Sequence, residues 1–269
     1  MRLESKTALI YGAGQAPGKS TAIGNGRATA LVFSREGAKV CCVDRYLETA
    51  EETAKMIAKD GGEAFAIATD VTDEAAIKAT ISTCTARWGR IDILHNNVGV
   101  SVEGGDAPLN DVTTDAFDRI MDINLLGTML TCKHVLPIMR DQGDGAIVNI
   151  SSASAYWTGH PTVLYPASKM AMISFTRQIA IQNADRGVRA NVILPGLMDT
   201  PMAVDRRVEV LGRTRADIAN ERDARVPLLN KMGTGGDVAH AALFLASNEA
   251  DFVTGIEMPV DGGSMARVG

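Results

Sequence analysis

The sequence predicts an α/β fold, a doubly wound parallel sheet of about seven strands with helices on both faces. Three observations predict it. Short apolar runs alternate with longer helical patterns along most of the chain, as strands and helices do when a parallel sheet is covered on both faces. Short links separate the elements. The first apolar run leads into a glycine-rich turn and then a helical pattern.

In order, Thr7 to Tyr11 is the first strand, Gly24 to Glu36 a helix and Lys39 to Val43 the second strand. Leu47 to Asp60 reads as helix, Ala64 to Ala68 as strand, and Asp73 to Trp88 as a helix capped by Asp73. Ile91 to His95 is strand four, Asp115 to Met139 one long helix, and Ala146 to Ile150 strand five. A helix holding Tyr165 runs to about Asp185, followed by a strand from Val188 to Leu194. Asp237 to Ala246 is the last helix and Ile256 to Val260 the closing strand. Between Leu197 and Val226 a polar stretch with six arginines breaks the rhythm, and it is the expected lid over a site.

At 269 residues one large domain spanning 1–269 is expected. The net charge of −5 gives no electrostatic reason for nucleic acid or an anionic membrane as partner. No apolar run is long enough to span a membrane, and the N-terminal residues lack a signal-peptide pattern, so a cytoplasmic protein is expected. Cys41, Cys42, Cys84 and Cys132 have no metal-like spacing; buried reduced thiols are expected, and no metal.

A strand, a glycine turn and a helix describe a dinucleotide site, because glycines admit the backbone to a pyrophosphate and the helix N-terminus faces its charge. The candidates are Gly12, Gly14, Gly18, Gly24 and Gly26. Asp44, ending the second strand, would accept hydrogen bonds from ribose hydroxyls and repel a 2′-phosphate, which favours NAD over NADP. Arg45 beside it would soften that preference; as an ordinary turn residue, Asp44 would do neither. Gly14 to Ser20, ending Gly-Lys-Ser, is also similar to a triphosphate-binding loop, but Gly14 is one residue too close to Gly18 and the helix starts later than that motif requires.

Tyr165 and Lys169 are four apart, so on a helix they share one face. A cation beside a phenol favours the phenolate and brings its pKa from about 10 toward the working pH, as a general acid/base requires. Alone, the pair is also what a surface helix turn would display.

Together these residues resemble the short-chain dehydrogenase/reductase family, from about Thr7 to Gly263. Gly12, Gly24 and Gly26 resemble its glycine turn, Asp70 and Val71 its adenine-contacting pair, and Asn96, Asn97, Val98 and Gly99 its Asn-Asn-Ala-Gly motif. Asn124 lies 28 residues before Ser152, which lies 13 before Tyr165, at family spacing. Pro195, Gly196 and Thr200 resemble the stretch that holds the nicotinamide, and Asp261 to Gly263 the C-terminal Asp-Gly-Gly. The resemblance implies a single-domain Rossmann fold. It implies Tyr165 as general acid/base, Lys169 lowering its pKa and binding the nicotinamide ribose, Ser152 bonding the substrate oxygen, and Asn124 holding a water that links Lys169 to solvent. It also implies a homo-oligomer, tetramer or dimer, joined by the helices starting near Asp115 and Val163. Ser151 competes with Ser152, but residues one apart in extended chain face opposite sides.

Two departures stand out. Gly12 and Gly24 are 12 apart where the family has four, an insertion of eight around Gln15 to Ile23. Lys19, Ser20 and Thr21 in it would add phosphate contacts, or the insertion is a plain surface loop. Tyr11 stands where the family has threonine, which leaves open what makes that turn's local hydrogen bond.

The substrate is less legible. Tyr156, Trp157, His160, Met198 and Met202 are candidates for contact with a moderately apolar or cyclic alcohol or ketone, with core packing as the alternative. The lid arginines suggest an anionic substrate, but nearby acids nearly cancel them, and a solvated charged helix is the expectation. The function expected is hydride transfer between NAD(H) and a secondary alcohol or ketone. The alternatives are an NADP(H)-dependent 3-oxoacyl reductase-like enzyme, against which the net acidity argues, and a dinucleotide-binding protein without turnover.

Overall fold

The computed structural model describes residues 1–15 and 22–267, with backbone alone at 209–211. Its elements are β1 (Thr7–Tyr11), α1 (Asn25–Arg35), β2 (Lys39–Asp44), α2 (Leu47–Lys59), β3 (Ala64–Ala68), α3 (Glu74–Trp88), β4 (Ile93–Asn96), α4 (Thr114–Met121), α5 (Gly127–Gln142) and β5 (Gly145–Ile150). Then follow α6 (Leu164–Asn183), β6 (Val188–Pro195), β7 (Met198–Asp199), α7 (Arg206–Leu211), α8 (Arg215–Asp223), β8 (Gly233–Thr234), α9 (Gly235–Ala246) and β9 (Glu257–Val260).

Seven strands form one parallel sheet in the order β3-β2-β1-β4-β5-β6-β9, and β7 and β8 pair separately. The period-2 alternation of a strand sorts its side chains into two cores. Ile10, Val40, Cys42, Ile93 and Val148 face α1, α2 and α9 through Phe33, Ile57 and Leu243. Leu9, Cys41, Val43, Leu94 and Ile147 face α3, α5 and α6 through Ile81, Val135, Met139 and Ile179. All four cysteines are buried free thiols. Tyr11 also enters the second core, and its hydroxyl has no partner among the described residues. It therefore does not replace the family's threonine in the turn.

Asp73 caps α3 as expected, its Oδ1 accepting from the amides of Ala75 (2.9 Å) and Ala76 (3.1 Å). The long helix expected from Asp115 to Met139 is different: a π-helical turn over Asp122–Leu126 separates α4 from α5. Such a turn adds a residue to the spiral and re-aims the side chains on it, and Asn124 is one of these. The lid segment is likewise not one helix but β7, a π turn over Pro201–Asp205, α7 and α8.

His95 on β4 is fully buried, edge-on to Phe33 at 6.2 Å, with both ring nitrogens unpartnered among the described residues. Burial lowers its pKa from 6.5 to about 3. The unfolded chain binds this proton below pH 6.5 and the folded chain does not until about pH 3, so His95 drains stability as pH falls through that window, by about 1.4 kcal/mol per unit. Relative to wild type, His95→Leu should gain roughly 2 kcal/mol on going from neutral pH to about 5 in urea unfolding. An equal difference at both pH values would refute this.

Candidate active site

The sheet reverses its strand order between β1 and β4, and in open α/β sheets the crevice at the carboxyl ends beside such a point holds the ligand. Gly12 follows β1, Asp44 ends β2, Asn97 follows β4, Ser152 follows β5 and Pro195 ends β6. Five candidates from distant parts of the sequence thus share one rim.

At the cofactor end Gly12 has φ 77°, the left-handed region that favours glycine. A Cβ on Gly26 would lie 1.9 Å from the Gly12 carbonyl oxygen, so α1 packs on the turn only because that position is glycine. The same carbonyl accepts from Asn97 Nδ2 at 3.2 Å. Gly14 donates its amide to Asp44 Oδ2 at 3.0 Å, and a Cβ there would meet Thr49 and Asp44. Gly24 caps α1 without a side-chain bond, and no acid lies in the first turn. This leaves an open helix N-terminus, suited to a phosphate. Asp70 accepts from Thr72 and pairs with Arg45 (3.5 Å), while Val71 is buried against Gly127. Arg45 is thereby engaged by Asp70. Uncapped helix, glycine turn and terminal carboxylate together fit a nicotinamide dinucleotide.

Of the insertion, 16–21 lies outside the described residues, and with it Gly18, Lys19, Ser20 and Thr21. Its ends are tied by a residue that sequence reasoning missed. The Gln15 side chain donates to Ala22 O (3.1 Å) and accepts from the Gly24 amide (2.8 Å). The helix begins at Asn25, past Ser20, which is not where a triphosphate-binding loop would start it.

At the chemical end Ser152 and Ser151 have separate tasks. Ser151 is buried and donates to the Lys169 carbonyl at 2.8 Å. Ser152 caps the turn at Ala153–Ala155, and its hydroxyl lies beside the Tyr165 phenol. Lys169 is buried, donates to Ile150 O at 2.9 Å, and has its Nζ 5.7 Å from the Tyr165 ring centroid. Burial lowers its pKa to about 8. The Tyr165 phenol is pushed up, chiefly by burial and also by Glu103, while the Ser152 hydrogen bond and the Arg207 charge act to lower it. The lowering expected from Lys169 is not seen here; its ammonium donates to the Ile150 carbonyl.

Asn124 donates to Val100 O (2.9 Å) and Ser168 Oγ (3.0 Å) and accepts from the Val100 amide (2.8 Å). Gly99 makes room for this: a Cβ would lie 3.1 Å from Lys169 Nζ and 3.5 Å from Asn124 Oδ1. Beneath, a buried chain of amides and hydroxyls, Thr131 to Asn96 (2.9 Å), Asn96 to Asn149 (2.9 Å) and Asn149 to Thr176 (2.9 Å), ties α5, β4, β5 and α6. Gly196 donates to Val260 O, with Asp261 against its α-carbon, and Thr200 caps the π turn.

Asp106 was missed entirely. It is 5% exposed, and its two oxygens accept the amides of Leu164 and Tyr165, each at 2.9 Å. These are the first residues of α6, whose N-cap Val163 offers no side chain for capping. A carboxylate there satisfies two orphan donors and opposes the helix dipole. Asp106 is thus a positioning residue for Tyr165, with no local signal because it lies 58 residues from Leu164. Asp106→Ala is expected to cost about 2 kcal/mol of stability and roughly tenfold in kcat. Asp106→Asn should recover part of both, and equal losses in the two variants would argue against positioning.

The five substrate candidates separate. Met198 is packed in the core beside Gly233, so the packing alternative holds for it. Tyr156 donates to Glu257 and, 46% exposed, borders Met170 and Arg177 on α6. His160 is engaged by Thr162 in a local turn. Trp157 packs against the 197–226 segment with Val204, Val208 and Ile218, and Met202 is exposed on that segment.

Residues 19–265 match a family model described as enoyl-(acyl carrier protein) reductase. The chain belongs to the short-chain dehydrogenase/reductase family. Among its relatives in this family, an uncharacterized oxidoreductase, YxbG, of Bacillus subtilis is 38% identical over 98% of this chain and 93% of its own. The levodione reductase of Leifsonia aquatica is 34% identical over 98% and 96%. A solved short-chain dehydrogenase/reductase from Burkholderia xenovorans superposes with a TM-score of 0.90 at 42% identity, covering 100% of this chain and 99% of that one. The parallel sheet above is that family's fold, and the chain is an oxidoreductase of the family that uses a nicotinamide dinucleotide.

Proposed function

We propose that this protein transfers a hydride between NAD(H) and a secondary alcohol or ketone, with Tyr165 as general acid/base. The observation that carries the reading is the convergence of Ser152, Tyr165 and Lys169 beside the Gly12 to Asp44 rim. The cofactor supplies the hydride acceptor or donor when bound. Tyr165 Oη gives a proton to the substrate oxygen in reduction and takes it in oxidation. Ser152 Oγ holds that oxygen, Lys169 carries positive charge below the phenol, and Asn124 keeps the Val100 loop in register with α6. Gly12, Gly14, Gly24, Gly26, Asp44, Asp70, Val71, Asn97, Gly99, Pro195, Gly196 and Thr200 would hold the cofactor. The relative named levodione reductase supports a ketone as substrate.

Segment 197–226 acts as the lid, with Trp157 and Met202 facing the substrate. The chain works as a cytoplasmic homo-oligomer through α4, α5 and α6, whose exposed Phe117, Met129 and Met170 support that assembly. No helix among the described residues is long and apolar enough to cross a membrane.

A panel of secondary alcohols and ketones assayed with NAD(H) and NADP(H) in parallel tests the reading. Turnover with the first cofactor pair is expected, and none with either would overturn it. Asp44→Ala should shift the kcat/KM ratio of NAD to NADP by roughly tenfold or more toward NADP, since it removes charged hydrogen bonds to the ribose and a repulsion. An unchanged ratio would remove Asp44 from cofactor choice.

A further inference from the structure

The lid's charges cancel only in the sum. Arg213 pairs with Glu221 at 2.8 Å, and Arg215 with Asp205 at 3.0 Å and with Asp199. Among the described residues Arg207, Arg222 and Arg225 have no carboxylate at ion-pair distance. Arg207 donates to the Ala203 carbonyl, one turn back. Arg222 is 9% exposed and donates to Met232 Sδ (3.2 Å) and Met198 O (3.4 Å). Its acidic neighbours Asp199 and Asp223 act on it only from beyond ion-pair distance, Asp199 being paired with Arg215 and Asp223 accepting from the Met232 amide. A nearly buried guanidinium with no carboxylate at ion-pair distance is costly, and a bound anion would offset that cost.

Arg207 lies where a substrate would enter. Trp157, between Ser152 and Tyr165, packs into the lid's apolar cluster with Val204 and Val208, and this seats α7 over the catalytic loop. Arg207 immediately precedes Val208. Its charge acts on the Tyr165 phenol and on Glu103, the acid of the facing loop. Arg207, Arg222 and Arg225 also repel one another. Burial and then Arg207 and Arg225 lower the Arg222 pKa to about 10. Arg207 thus lies among Glu103, the Tyr165 phenol and Arg225.

We propose that Arg207, backed by Arg225 and Arg222, is the recognition site for a negatively charged group, a carboxylate or phosphoryl group, on the substrate. The proposal rests on the reading of Tyr165 as the proton donor to a ketone. A guanidinium fork matches either anion bidentately, and an acid placed there would bring the substrate's carbonyl under the phenol by orientation as well as by charge.

Three ketones of similar length test it: 4-oxopentanoate, its uncharged methyl ester and 3-oxobutylphosphonate. With NADH, wild type should reduce the acid with a kcat/KM roughly tenfold or more above that of the ester, and the advantage should shrink as sodium chloride is raised. The phosphonate arm shows which anion the site prefers. Arg207→Gln should lower the acid-to-ester ratio by about tenfold, and Arg213→Gln, already paired with Glu221, should leave the ratio within about twofold. A wild-type ratio near one, or a ratio that survives Arg207→Gln, overturns the proposal. If no ketone is reduced, the oxidoreductase reading fails, and calorimetric titration of 4-oxopentanoate decides the site independently. Binding lost in Arg207→Gln supports it; no binding to wild type refutes it.

Discussion

Tyr165→Phe should lower kcat by roughly 10²–10⁴-fold, the contribution of a positioned proton donor, while NADH affinity stays within about twofold. Phenylalanine retains the ring that packs at the start of α6 and removes only the oxygen beside Ser152. Because burial favours the neutral phenol, alcohol oxidation in wild type should climb toward alkaline pH as the site loses a proton, and ketone reduction should decline over the same range. In the variant the residual rate should be flat with pH. Retention of more than a few per cent of activity, or a persistent alkaline limb, would take the proton step away from Tyr165. Fluorescence titration of NADH alongside steady-state rates separates a lost proton from a lost cofactor.

Lys169→Met should be catalytically severe yet structurally mild. Removing the charge under the phenol should reduce kcat/KM by about 10²-fold. Stability at neutral pH should change by no more than about 1 kcal/mol, since an apolar chain of similar length replaces a buried ammonium and only the bond to Ile150 O is forfeited. The pH dependence gives a second readout. With the folded pKa at about 8 and the ordinary value at 10.5, the unfolded chain binds more protons between those limits. Wild-type stability should therefore gain with rising pH across that window relative to the variant. Urea unfolding at the two ends of the window measures it, and parallel curves would mean Lys169 is not shifted.

The sheet was legible because each strand is an apolar run closed by turn residues, and β1 and β3 keep the expected limits. Asp73 was legible because a cap acts on amides two and three residues away. The convergence of Ser152, Tyr165 and Lys169 was legible through their spacing, which resembles a known family. What stayed hidden depends on long-range geometry. Asp106 meets α6 only after the chain has passed through α4 and α5. The π turn carries Asn124, whose carboxamide meets Val100, 24 residues away, and no helical periodicity announces it. The pairing within the lid was not legible because a charge count is blind to it: Arg215 draws on Asp199 and Asp205 together, and among the described residues Arg207 has no carboxylate at ion-pair distance. Tyr156 and Met198 have composition suited to a pocket, but backbone direction sends one to Glu257 and the other into the core.

The Gln15 clamp has a consequence for how this chain can vary. Its single carboxamide, bonded to Ala22 and Gly24, fixes both feet of the insertion independently of what lies between them. With the anchors set, doubling the intervening length would cost only about 0.6 kcal/mol in closure entropy. Extra residues could therefore accumulate next to the cofactor rim without displacing α1, and the same place is a natural socket for grafting a peptide.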